Sequence, residues 1–176
     1  LNQINKSKSA YQIFVMINKP YGLTFLKCAQ PYISNEEFSK ILADAWIRSE
    51  YPNSDGNLNK SELIVMFKQA KLFIMNTEER KQFSEMDDIV MIYRGVTPYN
   101  GKSVKALSWT LDRSVAEFFA HRFGEQGSVY EAQIRKDHIL ALFLMRGEKE
   151  VIVDPEFLTN LSESQEPQKN NMQSLQ

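Results

Sequence analysis

The feature that most constrains this chain is a change of hydrophobic period near its midpoint. Between Ser34 and Ile74 apolar residues recur at helical spacing; from Ile89 onward they gather into short runs of strand length. Long helices first and several strands afterwards predict an α+β domain instead of alternating βαβ units.

The helical half has recognisable starts and stops. Phe38, Ile41, Leu42, Ala45 and Trp46 fall at i, i+3, i+4, i+7 and i+8, one apolar stripe of a helix. Ser34 and Glu37 precede it with the spacing of a capping box. Tyr51-Pro52-Asn53-Ser54-Asp55-Gly56 breaks that helix. A second starts near Asn59 with Glu62 in the capping position, and Leu63, Met66, Phe67, Ala70 and Ile74 form its buried stripe. A third, short helix follows Asn76, with Glu78 and Glu79 near the positive end of its dipole.

In the second half, Ile89 to Arg94 is an apolar run ending in a charge, and Lys105 to Thr110 reads as a short strand. A helix from about Arg113 to Phe123 carries Val115, Phe118 and Phe119 on one side. Val129 to Arg135, Ile139 to Met145 and Val151 to Val153 then read as strands separated by polar turns. Residues 159–176 have no apolar pattern and are expected to be a disordered polar tail. The reading is therefore one domain over 1–158, with a mainly helical part over 1–87 and a β core over 88–158.

Composition narrows the function classes. A length of 176 residues suits one domain, which buries roughly 70% of its unfolded surface. A net charge of −1 lacks the basic excess with which proteins hold nucleic acid by bulk electrostatics. The single Cys28 excludes an intrachain disulfide and any multi-Cys zinc site. No apolar run reaches the ~18 residues of a membrane span, so a soluble domain is expected, cytoplasmic or delivered outside the cell. The chain opens at Leu1 instead of Met, which leaves room for a removed leader.

Several residues invite functional readings that simpler ones outweigh. Asn53, Asp55, Asn59 and Glu62 match positions of a calcium loop around Gly56, but Tyr51 stands where the loop needs its first carboxylate. An interhelical turn with capping residues is the better reading, and no metal site is expected. His121 and His138 lie in different elements without a nucleophile turn, and read as surface or core histidines. Cys28 reads as a structural thiol.

Three elements taken together say more. Tyr93-Arg94-Gly95 ends an apolar strand in an arginine before a glycine. Ser108-Trp109-Thr110 lies in a short strand. Glu148-Lys149-Glu150 leads into Val151-Ile152-Val153, and in a continuous strand both carboxylates share a face. A solvated strand end is the plain alternative for the glutamates.

This ordered set, arginine, then Ser-x-Thr, then Glu-x-Glu, resembles the mono-ADP-ribosyltransferases, in particular their Arg-Ser-Glu branch of binary-toxin subunits and arginine-specific transferases. The likeness covers about Ile89 to Pro155 and is carried by "IYRGV", "ALSWTLDRSVAEFFAHRF" and "RGEKEVIVDP". It implies N-terminal helices packed beside a split β-sandwich, with NAD as co-substrate in the cleft between two small sheets. The resemblance assigns Arg94 to the NAD diphosphate, which a planar guanidinium grips through paired hydrogen bonds. Gly95 would admit the nicotinamide amide, Tyr93 and Thr110 would support the site, and Phe119, before Phe118, would pack on the nicotinamide ring.

Glu150 would stabilise the positive charge that develops on the ribose as nicotinamide leaves. Ser108 would hold Glu150 in place, and Glu148 would orient or deprotonate the acceptor. The implied activity is transfer of ADP-ribose to a protein side chain, with arginine first and nucleic acid second. An NAD glycohydrolase and a non-catalytic binding module of the same fold remain open. Three departures stand out: Trp109 is bulky where a small hydroxyl residue is frequent, and the segments between Arg94 and Ser108 and before Glu148 are short.

Overall fold

Helix starts are set by side chains that satisfy the otherwise orphaned first amides. The computed structural model describes residues 9–49, 56–99, 104–124 and 126–164. Among these residues five α-helices come first: α1 (Ala10–Phe14), α2 (Gly22–Ala29), α3 (Asn35–Arg48), α4 (Lys60–Ala70) and α5 (Thr77–Ser84). Ser34 caps α3 by accepting the Glu37 amide. The reciprocal half of the expected capping box is missing, because the Glu37 carboxylate instead accepts the backbone amide of Tyr11, 3.0 Å away. That exchange fastens α1 to α3. Complete capping boxes begin α4, through Asn59 and Glu62, and α5, through Asn76 and Glu79.

The apolar stripe of α3 is buried along its whole length. Trp46 meets Phe67 of α4 edge-on, with ring centroids 5.0 Å apart. Glu62 is committed to its cap and to Lys27, whose Nζ lies 2.7 Å from Oε1. Asn53 and Asp55 of the calcium-loop match lie outside the described residues.

Six strands follow among the described residues: β1 (Ile89–Val96), β2 (Ser108–Thr110), β3 (Ser128–Arg135), β4 (Ile139–Phe143), β5 (Glu150–Val153) and β6 (Thr159–Glu163). They form one open antiparallel sheet in the order β4-β5-β2-β1-β3-β6. The architecture is α+β, with the helices leading. β1 and β3 pair along their full lengths from Ile89↔Arg135 to Val96↔Ser128. By contrast, β1 and β2 share one register pair, Tyr93↔Thr110. The sheet is thus two three-stranded halves joined at a narrow seam.

One sequence expectation needs correction. Residues 159–163 belong to the fold: β6 pairs with β3 at Tyr130↔Glu163, Glu131↔Ser162 and Gln133↔Thr159. An edge strand uses backbone hydrogen bonds and needs no apolar alternation, and only Leu161 in β6 packs on the core. Residues 165–176 lie outside the described residues.

Helix α6 (Arg113–His121) buries Ala116 and Ala120, leaving Val115 and Phe119 partly buried and Phe118 exposed. The cause is the close approach of α6 to β1. A Cβ built on Gly95 would lie 2.2 Å from the Ala116 carbonyl oxygen, and one on Gly127 would lie 2.3 Å from that of Ala120. Only small residues fit such an approach, so Phe118 turns outward and Phe119 is only partly buried. Among the described residues, no helix is long and apolar enough to cross a membrane.

Gly95→Ala places a methyl against helix backbone that cannot swing aside. We expect it to cost about 1–3 kcal/mol or more, the usual penalty for overpacking. Chemical denaturation checks this, and an unchanged midpoint would show that α6 and β1 have room to separate.

Candidate active site

The strand registers bring distant residues together. β2 pairs with β5 so that Ser108 faces Ile152 and Thr110 faces Glu150. Ser108 and Glu150 therefore sit on diagonal rungs of one sheet face, within reach of each other. The Ser108 hydroxyl donates to Glu150 Oε1 at 2.5 Å. From the helical layer, the Trp46 indole donates to the same oxygen at 3.1 Å. Arg94 of β1 reaches across the seam and donates from a terminal nitrogen to the Ser108 carbonyl oxygen at 2.6 Å. Arg94, Ser108, Glu150 and Trp46 form one continuous hydrogen-bonded chain.

Two members keep polar atoms that the network leaves unsatisfied. Glu150 Oε2 has no partner among the described residues, while Oε1 has two. Arg94 Nε is buried with no hydrogen-bond partner among the described residues, a desolvated donor of the kind that folded proteins rarely tolerate without use. Burial pulls the Arg94 guanidinium down to about 10, partly opposed by the Glu150 charge. It remains a cation at neutral pH. Burial pushes the Glu150 carboxyl above the ordinary range, and the nearby Glu148 charge adds to the rise. The Ser108 and Trp46 hydrogen bonds and the Arg146 charge work against it.

The segment leading to Glu150 is a strained and firmly held turn. Arg146 and Lys149 adopt left-handed backbone conformations, with φ of 63° and 44°, and Gly147 has φ of 70°. Each non-glycine residue in that region costs on the order of 1 kcal/mol. Five contacts hold the turn. The buried Glu79 carboxylate accepts the Leu144 amide, and the Arg146 guanidinium donates to the Ile47 carbonyl oxygen. Thr110 Oγ1 donates to the Glu148 carbonyl oxygen at 2.6 Å, the Leu111 amide donates to that of Lys149, and β5 begins at Glu150.

Glu148 therefore stands in the turn, before β5. The expected strand alternation that would align it with Glu150 does not apply, because Lys149 reverses the backbone between them. The two carboxylates are nevertheless close enough for Glu148 to act on Glu150 electrostatically.

The remaining candidates are placed as follows. Thr110 is buried, and its hydroxyl also accepts the Asp112 amide, so it joins β2, the turn and the start of α6. Tyr93 packs with Ala116, Ala120 and Val129. Gly95 owes its lack of a side chain to the α6 backbone, as described above. Phe119 is partly buried between Phe118, at 5.5 Å, and the Arg122 guanidinium, at 5.2 Å; Phe118 is exposed. Trp109 is buried, with its indole donating to the Ala106 carbonyl oxygen.

His138 stacks on Phe157, and Cys28 is an exposed thiol. His121, at the end of α6, is exposed. Neither histidine nor Cys28 is hydrogen-bonded to the Arg94–Ser108–Glu150 network. A cavity of about 300 Å³ lined by Lys71, Phe83, Asp88, Arg135, Lys136 and Asp137 lies apart from the network. Its charged groups are largely occupied, Arg135 with Asp137 and Lys136 with the Ser84 and Met86 carbonyl oxygens. Among the described residues no cluster of His, Cys, Asp and Glu is placed to hold a metal ion.

Trp46 and Glu79 escaped the sequence reading as site residues. Both carried sufficient local explanations, a helix stripe and a helix cap. Only tertiary structure shows the second contact of each.

A carboxyl whose native value is raised keeps its proton at a pH where the unfolded chain has lost it. Its contribution to stability therefore falls as pH rises from the ordinary glutamate range through the raised value. Glu150→Gln is expected to melt above wild type at pH 8, with the difference shrinking toward pH 4. Calorimetry at the two pH values checks the sign.

No family model, no curated protein and no solved structure matches this chain.

Proposed function

We propose that this domain is an NAD-dependent mono-ADP-ribosyltransferase. The observation that carries the reading is the convergence of Arg94, Ser108 and Glu150, separated by 14 and 42 residues, in one network. The likeness in order of motifs would be idle if these side chains pointed to different surfaces. Of the expected fold, the α+β order supports the reading: helices lead, and the strands follow in one open six-stranded sheet.

The donor and acceptor inventory suits the two ends of the proposed substrate. Arg94 is a desolvated cation with an unsatisfied Nε–H, and a diphosphate supplies the acceptor oxygens and negative charge it lacks. Glu150 presents an unpartnered oxygen on a carboxylate whose other oxygen is held. In the proposed reaction the bond between nicotinamide and the ribose carbon breaks, and nicotinamide leaves with the electron pair. Positive charge spreads over the ribose, where Glu150 faces it in a medium of low dielectric. The acceptor nucleophile then bonds to the ribose carbon, and its proton passes to Glu148. An arginine side chain of a target protein is the acceptor that a second, nearby carboxylate favours.

Glu150→Gln is expected to lower nicotinamide release and ADP-ribose transfer together by at least a hundredfold. Glu148→Gln should suppress transfer while sparing part of the release. Nicotinamide release and labelling of an arginine-rich acceptor by radiolabelled NAD, assayed side by side, separate these effects. Release that never labels a macromolecule would identify a glycohydrolase. NAD binding without release would identify a binding module, and full transfer by both variants would end the assignment.

A further inference from the structure

Trp46 belongs to two structures at once. Its ring is 2% exposed and fills the core between α3 and α4 against Phe67. Its Nε1–H leaves that core to meet a carboxylate 104 residues away. Apolar packing alone asks for no donor at this position, whereas a buried indole N–H requires an acceptor. Here the acceptor is the oxygen already taken by Ser108. The next residue, Ile47, accepts from Arg146 with its carbonyl oxygen. Two consecutive residues of α3 thus hold Glu150 and the strained turn before it.

We propose that Trp46 is a positioning residue for Glu150: with Ser108 it occupies Oε1, so that the carboxyl group is fixed with Oε2 left for a ligand. The proposal rests on the reading of Glu150 as the carboxylate that faces the ribose. The charged groups acting on Glu150 from the packed elements are Glu148 and Arg146 from the turn and Arg94 from β1. Of the two neutral donors, Trp46 comes from the helical layer and Ser108 from the sheet. A Phe at position 46 keeps most of the ring and removes only the donor.

The two tryptophans give a readout independent of turnover. Trp109 donates to a backbone carbonyl oxygen and serves as an internal control. In nitrogen-15 spectra of the full chain, the Trp46 indole resonance should shift with pH, with a midpoint above the ordinary glutamate range. The Trp109 resonance should stay put, and in Glu150→Gln the Trp46 titration should disappear. Trp46→Phe should lower kcat for nicotinamide release about tenfold and move the acid limb of its pH profile up by about one pH unit, the scale of one hydrogen bond to a charged group. The KM for NAD should remain within about twofold, because no ligand atom is touched.

A Trp46 resonance that does not titrate in the wild type overturns the proposal, and this arm needs no Trp46 variant to fold. So does a folded Trp46→Phe variant with unchanged kcat and acid limb, a result that leaves the transferase reading standing. A wild-type chain that releases no nicotinamide from NAD overturns that reading and, with it, the positioning role. The resonance titration then still decides whether Trp46 and Glu150 are coupled.

Discussion

Everything at this site depends on a carboxylate drawn out of bulk water and held by neutral donors. Glu150 is raised by desolvation, and the hydrogen bonds from Ser108 and Trp46 recover part of that cost. A salt bridge would be the simpler remedy for a buried charge, yet Arg94 donates to the Ser108 backbone instead of to Glu150. The consequence is that the cation and the anion remain separately directed. A fully paired Arg–Glu couple would spend the valences a charged ligand could use.

The scaffold around this carboxylate comes from both halves of the chain. β2 supplies Ser108 and Thr110, β5 opens with Glu150, and β1 lends Arg94. The helices supply Trp46, the Ile47 carbonyl oxygen and the buried Glu79 carboxylate. Left-handed residues before Glu150 persist because the surrounding hydrogen bonds over-determine them. The helical layer is therefore part of the site's construction.

Much of the architecture was legible in residue patterns because the rules involved are local. The α3 stripe, the Asn59–Glu62 and Asn76–Glu79 boxes, and the strands from Ile89 onward all follow from periodicity and capping. Where the reading failed, a distant partner had won. Glu37 serves Tyr11 and not Ser34, and β6 is recruited by an unpaired strand edge despite its polar sequence. The small-residue face of α6, Ala116 and Ala120, is set by the close approach of Gly95 and Gly127, a tertiary contact that no helix periodicity shows. The site behaved likewise. Its arginine, serine and glutamates could be singled out by order, but no spacing rule joins Trp46 to Glu150 or predicts the Lys149 reversal.

The narrow seam between β1 and β2 has a mechanical consequence. Sheets resist shear through rows of parallel hydrogen bonds, and here that row shrinks to the neighbourhood of Tyr93 and Thr110. The three strands on either side keep their own ladders, two plates joined along the least hydrogen-bonded line of the sheet. Arg94 spans this joint, anchored on one plate and bonded to the other. Drawing that guanidinium toward an anion would tug on the strand that carries Ser108, turning ligand capture at one plate into a displacement felt at the other.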